Sequence, residues 1–210
     1  MNFLDEKVTK YMNALAAVDD EPVLLEMESL AAENDFPIIG RLCGQVLEML
    51  ARSIGARRIF EMGSGYGYSA YWFSRATGPD GEIHLTDTDP ENEIKARDFL
   101  GRAGLLDPVT YHVASAFDAF DETDGDFDIV YCDINKGDYP EAWRRGCERV
   151  RVGGFYISDN MLWSGRVADS DKDDWTQAID ETNRAVFADR RFRSTIVPTR
   201  DGVLVALRVA

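Results

Sequence analysis

Residues 58–69 read Arg-Ile-Phe-Glu-Met-Gly-Ser-Gly-Tyr-Gly-Tyr-Ser, and this stretch decides the architecture. Arg58 to Met62 is a short, mostly apolar strand. A turn with glycines at 63, 65 and 67 follows, and Ser69 to Ala76 reads as a helix. Glycines directly after a strand let the backbone turn tightly and let a ligand come close. The helix behind them opens with N–H groups that lack intrahelical acceptors, which suits an anionic ligand group. The dinucleotide fingerprint G-x-G-x-x-G would place its last glycine where Tyr68 stands, and Glu61, two residues before the first glycine, is also foreign to it. A glycine turn without a ligand is the plainer alternative.

Downstream the alternation continues. Strands are expected at Glu82–Thr86, Val109–Val113, Phe127–Cys132, Phe155–Ser158, Phe192–Val197 and Val203–Val209. Helices are expected from Pro90 to about Gly101 or Gly104, from Tyr139 to Val150 and from Asp171 to Phe187. The run FDIVYC is apolar at almost every position, as a central strand covered on both faces should be. Strand–helix alternation implies parallel strands joined by right-handed crossovers. The fold class is therefore α/β: a Rossmann-like, doubly wound, seven-stranded sheet, mostly parallel, closed by an antiparallel C-terminal pair. Upstream, residues 4–54 read as helices, with Leu24, Leu25, Met27, Leu30 and Ala31, then Leu42, Val46, Leu47, Met49 and Leu50 at helical spacing. Pro22 and Pro37 are expected near helix starts.

The 210 residues form one expected domain, with helices over 1–54 and the sheet-bearing core over 55–210. A formal net charge of −15 makes nucleic acid and anionic membrane poor partners. The arginine clusters at 144–151 and 190–193 read as solvated cations near helix C-termini. Cys43, Cys132 and Cys147 are widely spaced without a C-x-x-C pair, which fits a reducing, cytoplasmic setting. The N-terminus is charged without a signal-like apolar run, and no apolar run reaches the roughly 18 residues of a membrane span. His84 and His112 fall inside strands, which argues against a histidine metal site or a serine–histidine triad.

In doubly wound sheets ligands bind beyond the carboxyl ends of the strands, so acids at those ends matter most. Asp87 closes the second strand 24 residues after Gly63, where a carboxylate accepts hydrogen bonds from the ribose hydroxyls of an adenosyl cofactor. Asp89, before Pro90, reads as a helix cap. Asp133 follows the fourth strand, and Asp159 and Asn160 follow the fifth. Three oxygen donors suit a hard cation such as Mg²⁺, Ca²⁺ or Mn²⁺. For adjacent Asp159 and Asn160 to meet one ion, the strand must end there and the chain must turn. Turn or capping roles are their alternative. Lys136, near such an ion, would lose its proton more easily and could serve as a general base. A surface pairing with Asp138 or Glu141 is its alternative.

Together these motifs resemble the cation-dependent O-methyltransferases, the class of catechol and caffeoyl-coenzyme A O-methyltransferases and their bacterial relatives. The resemblance is carried by GQVLEMLARSIGARRIFEMGSGYGYSA, IHLTDTDP, FDIVYCDINKGDYPEAW, RVGGFYISDNMLWSGRV and PTRDGVLVALR, from about residue 37 to the end. It implies an S-adenosylmethionine site lined by Glu61, Gly63, Ser64, Gly65, Ser69, Asp87, Ala116 and Asp133, with Ser69 holding the methionine carboxylate. It implies metal ligation by Asp133, Asp159 and Asn160, catalysis by Lys136 with Asp133, and an acceptor site beside Lys136, Trp163 and Ser164. A homodimer and a small-molecule hydroxyl acceptor, with no nucleic acid or membrane, are implied as well. The chain departs from the family pattern at Asn135, at Ala114-Ser115-Ala116 and at Ile38-Ile39. Two other functions compete: a nicotinamide-dependent oxidoreductase on a related sheet, and an S-adenosylmethionine-binding relative without turnover.

Overall fold

The computed structural model describes residues 5–16 and 21–210; the parts of the helical reading at residues 4 and 17–20 lie outside them. Three helices come first: α1 (Glu6–Ala16), α2 (Pro22–Glu33) and α3 (Gly40–Ser53). Pro22 occupies the first turn of α2, where its missing N–H costs nothing. Pro37 precedes α3 by three residues, within the connecting loop. In α3 the buried face is Cys43, Gly44, Leu47 and Ala51, while Met49 is exposed. Two residues from Leu47 is more than half a helical turn, so Met49 points away from the stripe in which it was expected.

The core alternates β1 (Arg58–Met62), α4 (Tyr68–Thr77), β2 (Glu82–Asp87), α5 (Pro90–Arg102), β3 (Val109–Val113), α6 (Ala116–Glu122), β4 (Phe127–Cys132), α7 (Tyr139–Arg149), β5 (Val150–Ser158), α8 (Asp174–Ala188), β6 (Phe192–Val197) and β7 (Val203–Arg208). The sheet order is β3-β2-β1-β4-β5-β7-β6. The first five strands run parallel, and β7 lies antiparallel to both β5 and β6. The chain winds outward from β1 to β3 and returns to β4 on the other side of β1, leaving a topological switch point between β1 and β4.

Period-two alternation sends neighbouring strand residues to opposite faces. Ile59, Ile83, Ile129 and Ile157 pack with Leu47 and Trp72 of α3 and α4. Phe60, Val130, Tyr156 and Leu204 pack on the other face with Phe120, Trp143 and Ile179 of α6, α7 and α8. A Cβ on Gly44 would fall 2.1 Å from the Trp72 indole nitrogen, so only glycine lets α3 lie this close to α4.

The two arginine clusters form ion pairs and carbonyl contacts rather than a binding patch. Arg144 and Arg145 grip Glu141, Arg149 donates to the carbonyls of Phe120, Thr123 and Gly125, and Arg191 joins Glu148 and Asp189. All three cysteines are free and buried. Among the described residues no helix is long and apolar enough to cross a membrane.

Candidate active site

The ladder of backbone hydrogen bonds runs one residue past each strand end. The Asp133 amide donates to the Met62 carbonyl (2.9 Å), the Asp159 amide to Cys132 (3.1 Å) and the Ala114 amide to Asp87 (3.0 Å). Loop residues at the sheet's C-terminal edge are thus held as firmly as strand residues. They line a cavity of about 660 Å³ at the switch point.

One side of this cavity is the glycine loop. Gly63 has φ +82°, and a Cβ there would sit 2.3 Å from the Asp133 carbonyl oxygen, so both its dihedrals and its neighbour demand glycine. The loop is tied to β2: the Ser64 amide donates to the Thr86 carbonyl (2.8 Å), the Gly63 amide to Thr86 Oγ1 (3.1 Å), and the Gly65 amide to Asp87 Oδ2 (3.1 Å). Asp87 Oδ1 accepts the Asp89 amide (2.8 Å). Asp87 therefore orders the loop and still lines the cavity, where each of its oxygens keeps a lone pair for a ligand hydroxyl. Asp89 caps α5, accepting from the Glu91 amide at 2.9 Å.

Glu61 lies behind the loop, fully buried. The Ser69 hydroxyl donates to its Oε1, while Oε2 has no partner. Burial pushes the Glu61 carboxyl up to about 8, against the Ser69 hydrogen bond. Glu61 does not line the cavity; it acts through Ser69, which does. With its hydroxyl hydrogen engaged, Ser69 has its first-turn amide left to offer an anionic group.

On the opposite side stand Asp133, Lys136, Asp159, Asn160 and Trp163. β5 ends at Ser158 and Asn160 turns through φ +59°, the break needed for Asp159 and Asn160 to share one site. Asp159 is 1% exposed, and neither of its carboxylate oxygens has a hydrogen-bond partner. Burial, and then the charge of Asp133, push its carboxyl upward, against the pull of Arg200. A buried, unpartnered carboxylate is costly unless something cationic meets it. Asp133, Asp159 and Asn160 offer only oxygen donors, so they fit a hard divalent cation. Among the described residues no three His, Cys, Asp or Glu side chains form a metal cluster; this set is two carboxylates and an amide.

Lys136 pairs with neither Asp138 nor Glu141. Its Nζ donates to Asp133 Oδ1 (2.9 Å), the Ile134 carbonyl (3.2 Å) and Tyr139 Oη (2.7 Å), and Tyr139 in turn donates to the Asp159 carbonyl (3.1 Å). Tyr139 is fully buried, so it supports the lysine rather than walling the cavity. Tyr66 does line the cavity, although it is almost fully buried, and its hydroxyl donates to the Met27 carbonyl (3.0 Å).

Ser164 lines a second, adjoining cavity of about 500 Å³ instead of the first. The two share Ile39, Asn160 and Arg200. Phe117, Trp175 and Arg200 are among the lining residues that the sequence did not single out individually. Phe117 stands on α6, a seven-residue helix too short for periodicity to reveal. Trp175, 56% exposed at the start of α8, meets Trp163 edge-on with ring centroids 6.3 Å apart. Arg200 sits in the β6–β7 turn, within a stretch already singled out but with no spacing to distinguish it.

Comparison with known proteins agrees with this geometry. Residues 15–209 match the model of a family described as O-methyltransferase. A caffeoyl-CoA O-methyltransferase of Eucalyptus globulus is 30% identical over 179 residues, covering 80% of this chain and 73% of that enzyme. A catechol O-methyltransferase of Niastella koreensis is 29% identical over 200 residues, covering 93% of this chain and 86% of that enzyme. The crystal structure of the O-methyltransferase TomG of Streptomyces achromogenes in complex with SAM superposes with a TM-score of 0.87 at 28% identity, over 97% of this chain and 96% of that one. With a family model spanning nearly its whole length, and with its strand-end acids gathered at one cavity, the chain belongs to the O-methyltransferase family.

Proposed function

We propose, for the S-adenosylmethionine-dependent O-methyltransferase that family membership makes this chain, an aromatic acceptor with two adjacent hydroxyls and a divalent cation held by Asp133, Asp159 and Asn160. The observation that carries this reading is the buried, unpartnered carboxylate of Asp159 beside Asp133 and Lys136. When bound, S-adenosylmethionine supplies an electrophilic methyl group, and the cation supplies charge that favours ionisation of a nearby hydroxyl.

The residues divide the remaining work. Gly63, Ser64, Gly65 and the leading amides of α4 would hold the cofactor's anionic end, Asp87 would take the ribose hydroxyls, and Ala116 would border the base. Asp133 would lie near both cofactor and acceptor. Lys136 donates three hydrogen bonds, to Asp133, the Ile134 carbonyl and Tyr139, so it is held in place before an acceptor arrives. With three N–H bonds it has no lone pair, so to serve as the base for the acceptor's hydroxyl it must first release one of these protons to solvent; the neutral amine then takes the hydroxyl proton. Trp163 and Trp175, in edge-on contact, would offer the planar ring an aromatic wall on one side. Fixing both reactants in one cleft supplies much of the rate.

The test is methyl transfer to a panel of vicinal-diol aromatics, with and without Mg²⁺ after chelation, together with calorimetric titration of Mg²⁺. Chelation should abolish transfer, and Asp159→Ala should lose both Mg²⁺ binding and metal-stimulated transfer while S-adenosylmethionine still binds. Transfer unaffected by chelator would overturn the metal role. No transfer to any diol from a protein that binds the cofactor would favour the reading without turnover.

A further inference from the structure

The two cavities meet at Arg200, and its surroundings are unusual. Five non-glycine residues have positive φ among the described residues, and four of them, Asn160, Trp163, Ser164 and Arg200, lie in two facing loops. These loops are stapled together. The Met161 amide donates to the Gly202 carbonyl (2.9 Å), the Leu162 amide to the Asp201 carbonyl (2.9 Å) and the Ser164 amide to Asp201 Oδ1 (2.5 Å). Left-handed backbone in non-glycine residues persists where surrounding contacts impose it, and it collects at ligand sites. Arg200 is thus held at the junction by its own turn and by the loop that carries Asn160.

Three cationic side chains line the two cavities: Lys136, Arg41 and Arg200. Lys136 is committed to Asp133, Ile134 and Tyr139. Arg41 makes a two-pronged contact with Glu28 at 2.7 and 2.9 Å. Arg200 makes no hydrogen bond to any described residue. Its nearest anion is Asp159 Oδ2 at 3.9 Å, and its side chain is 43% exposed. The guanidinium therefore keeps its planar fork of donors, which matches a carboxylate in two-pronged fashion. In a chain of net charge −15, an anionic ligand meets general repulsion and needs a fixed cation of this kind to enter the cleft.

We propose that Arg200 reads an anionic substituent on the acceptor, so that the preferred substrate is an aromatic diol bearing a carboxylate or similar anion, seated where the two cavities join. This rests on the aromatic-diol reading above. The other role open to Arg200 is to balance the charge of Asp159, which would affect charged and neutral acceptors alike.

The experiment compares 3,4-dihydroxybenzoate with 3,4-dihydroxybenzamide at saturating Mg²⁺ and S-adenosylmethionine, in the wild type, Arg200→Gln and Arg200→Lys. Binding of both compounds is measured by calorimetry in the presence of S-adenosylhomocysteine and Mg²⁺. The wild type should favour the acid in kcat/KM by about 10- to 100-fold, the span of hydrogen bonds to a charged group. Arg200→Gln should bring the ratio close to one, mainly through KM, and Arg200→Lys should restore part of it. Equal use of acid and amide by the wild type, or a preference that survives in Arg200→Gln, overturns the role of Arg200 and leaves the diol reading intact. If neither compound is methylated, the diol reading fails for them, and binding decides. Tighter binding of the acid that Arg200→Gln removes upholds the anion site; equal binding overturns it.

Discussion

At the scale of single residues, the site combines one buried acid that stays uncharged with another that calls for a cation. Glu61 shows the first case. Its folded-state carboxyl titrates at about 8, well above the usual range, because burial outweighs the Ser69 hydrogen bond. In the unfolded chain it ionises near 4.5. Between these values the folded state holds a proton that the unfolded state has lost. Its contribution to stability is present in full below the lower value and drains away as pH rises through the higher one. The slope from this group alone approaches about 1.4 kcal/mol per pH unit. Glu61→Gln should flatten the fall in stability between about pH 5 and 8, as read from urea midpoints across that range. An unchanged slope would show that Glu61 is ionised in the fold.

At the scale of elements, strand ends position the chemistry and strand starts hold the sheet in register. At the starts of β1 and β4, Asp128 Oδ2 accepts the amides of Arg57 and Arg58, both at 2.7 Å, and Oδ1 accepts from Arg151 at the start of β5 (2.5 Å). Burial alone would raise this carboxyl, but the two amides and the arginine win and hold it below the usual range. A depressed folded-state value gives stability that is present above the ordinary carboxylate range and is lost as pH falls through the depressed one. Asp128→Asn should cost about 1.5–3 kcal/mol at neutral pH, the range for hydrogen bonds to a charged group. Its deficit against the wild type should shrink in acid. Denaturant melts at pH 7 and pH 3 measure both.

At the scale of the whole molecule, the cavity exists because β1, β2, β4 and β5 end together at the switch point with helical layers on both faces. A ligand there bridges loops from both halves of the sheet and binds only the folded chain. S-adenosylhomocysteine at 100 times its Kd should therefore raise the unfolding free energy by about 2.7 kcal/mol. The gain should grow with the logarithm of ligand concentration, and thermal melts over a concentration series would show it. Family membership also removes the nicotinamide-dependent oxidoreductase from consideration. The spacing of Gly63, Gly65 and Gly67, with Tyr68 after them, had already argued against it.

Much of this was legible in the order of residues. Apolar runs separated by glycine turns announced the seven strands, because strand burial and turn geometry are local demands that a sequence must meet locally. The strand-end acids Asp87, Asp133 and Asp159 could be found because the fold class says where ligands bind. Other features depended on tertiary placement. Helix α6 was too short for its pattern to show, and with it Phe117 went unseen. Met49 looked like core until the packing of α3 on α4 turned it outward. Lys136 had several nearby acids to choose from, and its pairing with Asp133 and Tyr139 was settled by the short turn at residues 136–138. Forty residues of chain separate Arg200 from Asp159, and only the antiparallel return of β7 beside β5 brings its turn to the cleft. Local propensity and periodicity travel with the sequence, whereas contacts between distant segments are set by how the layers pack.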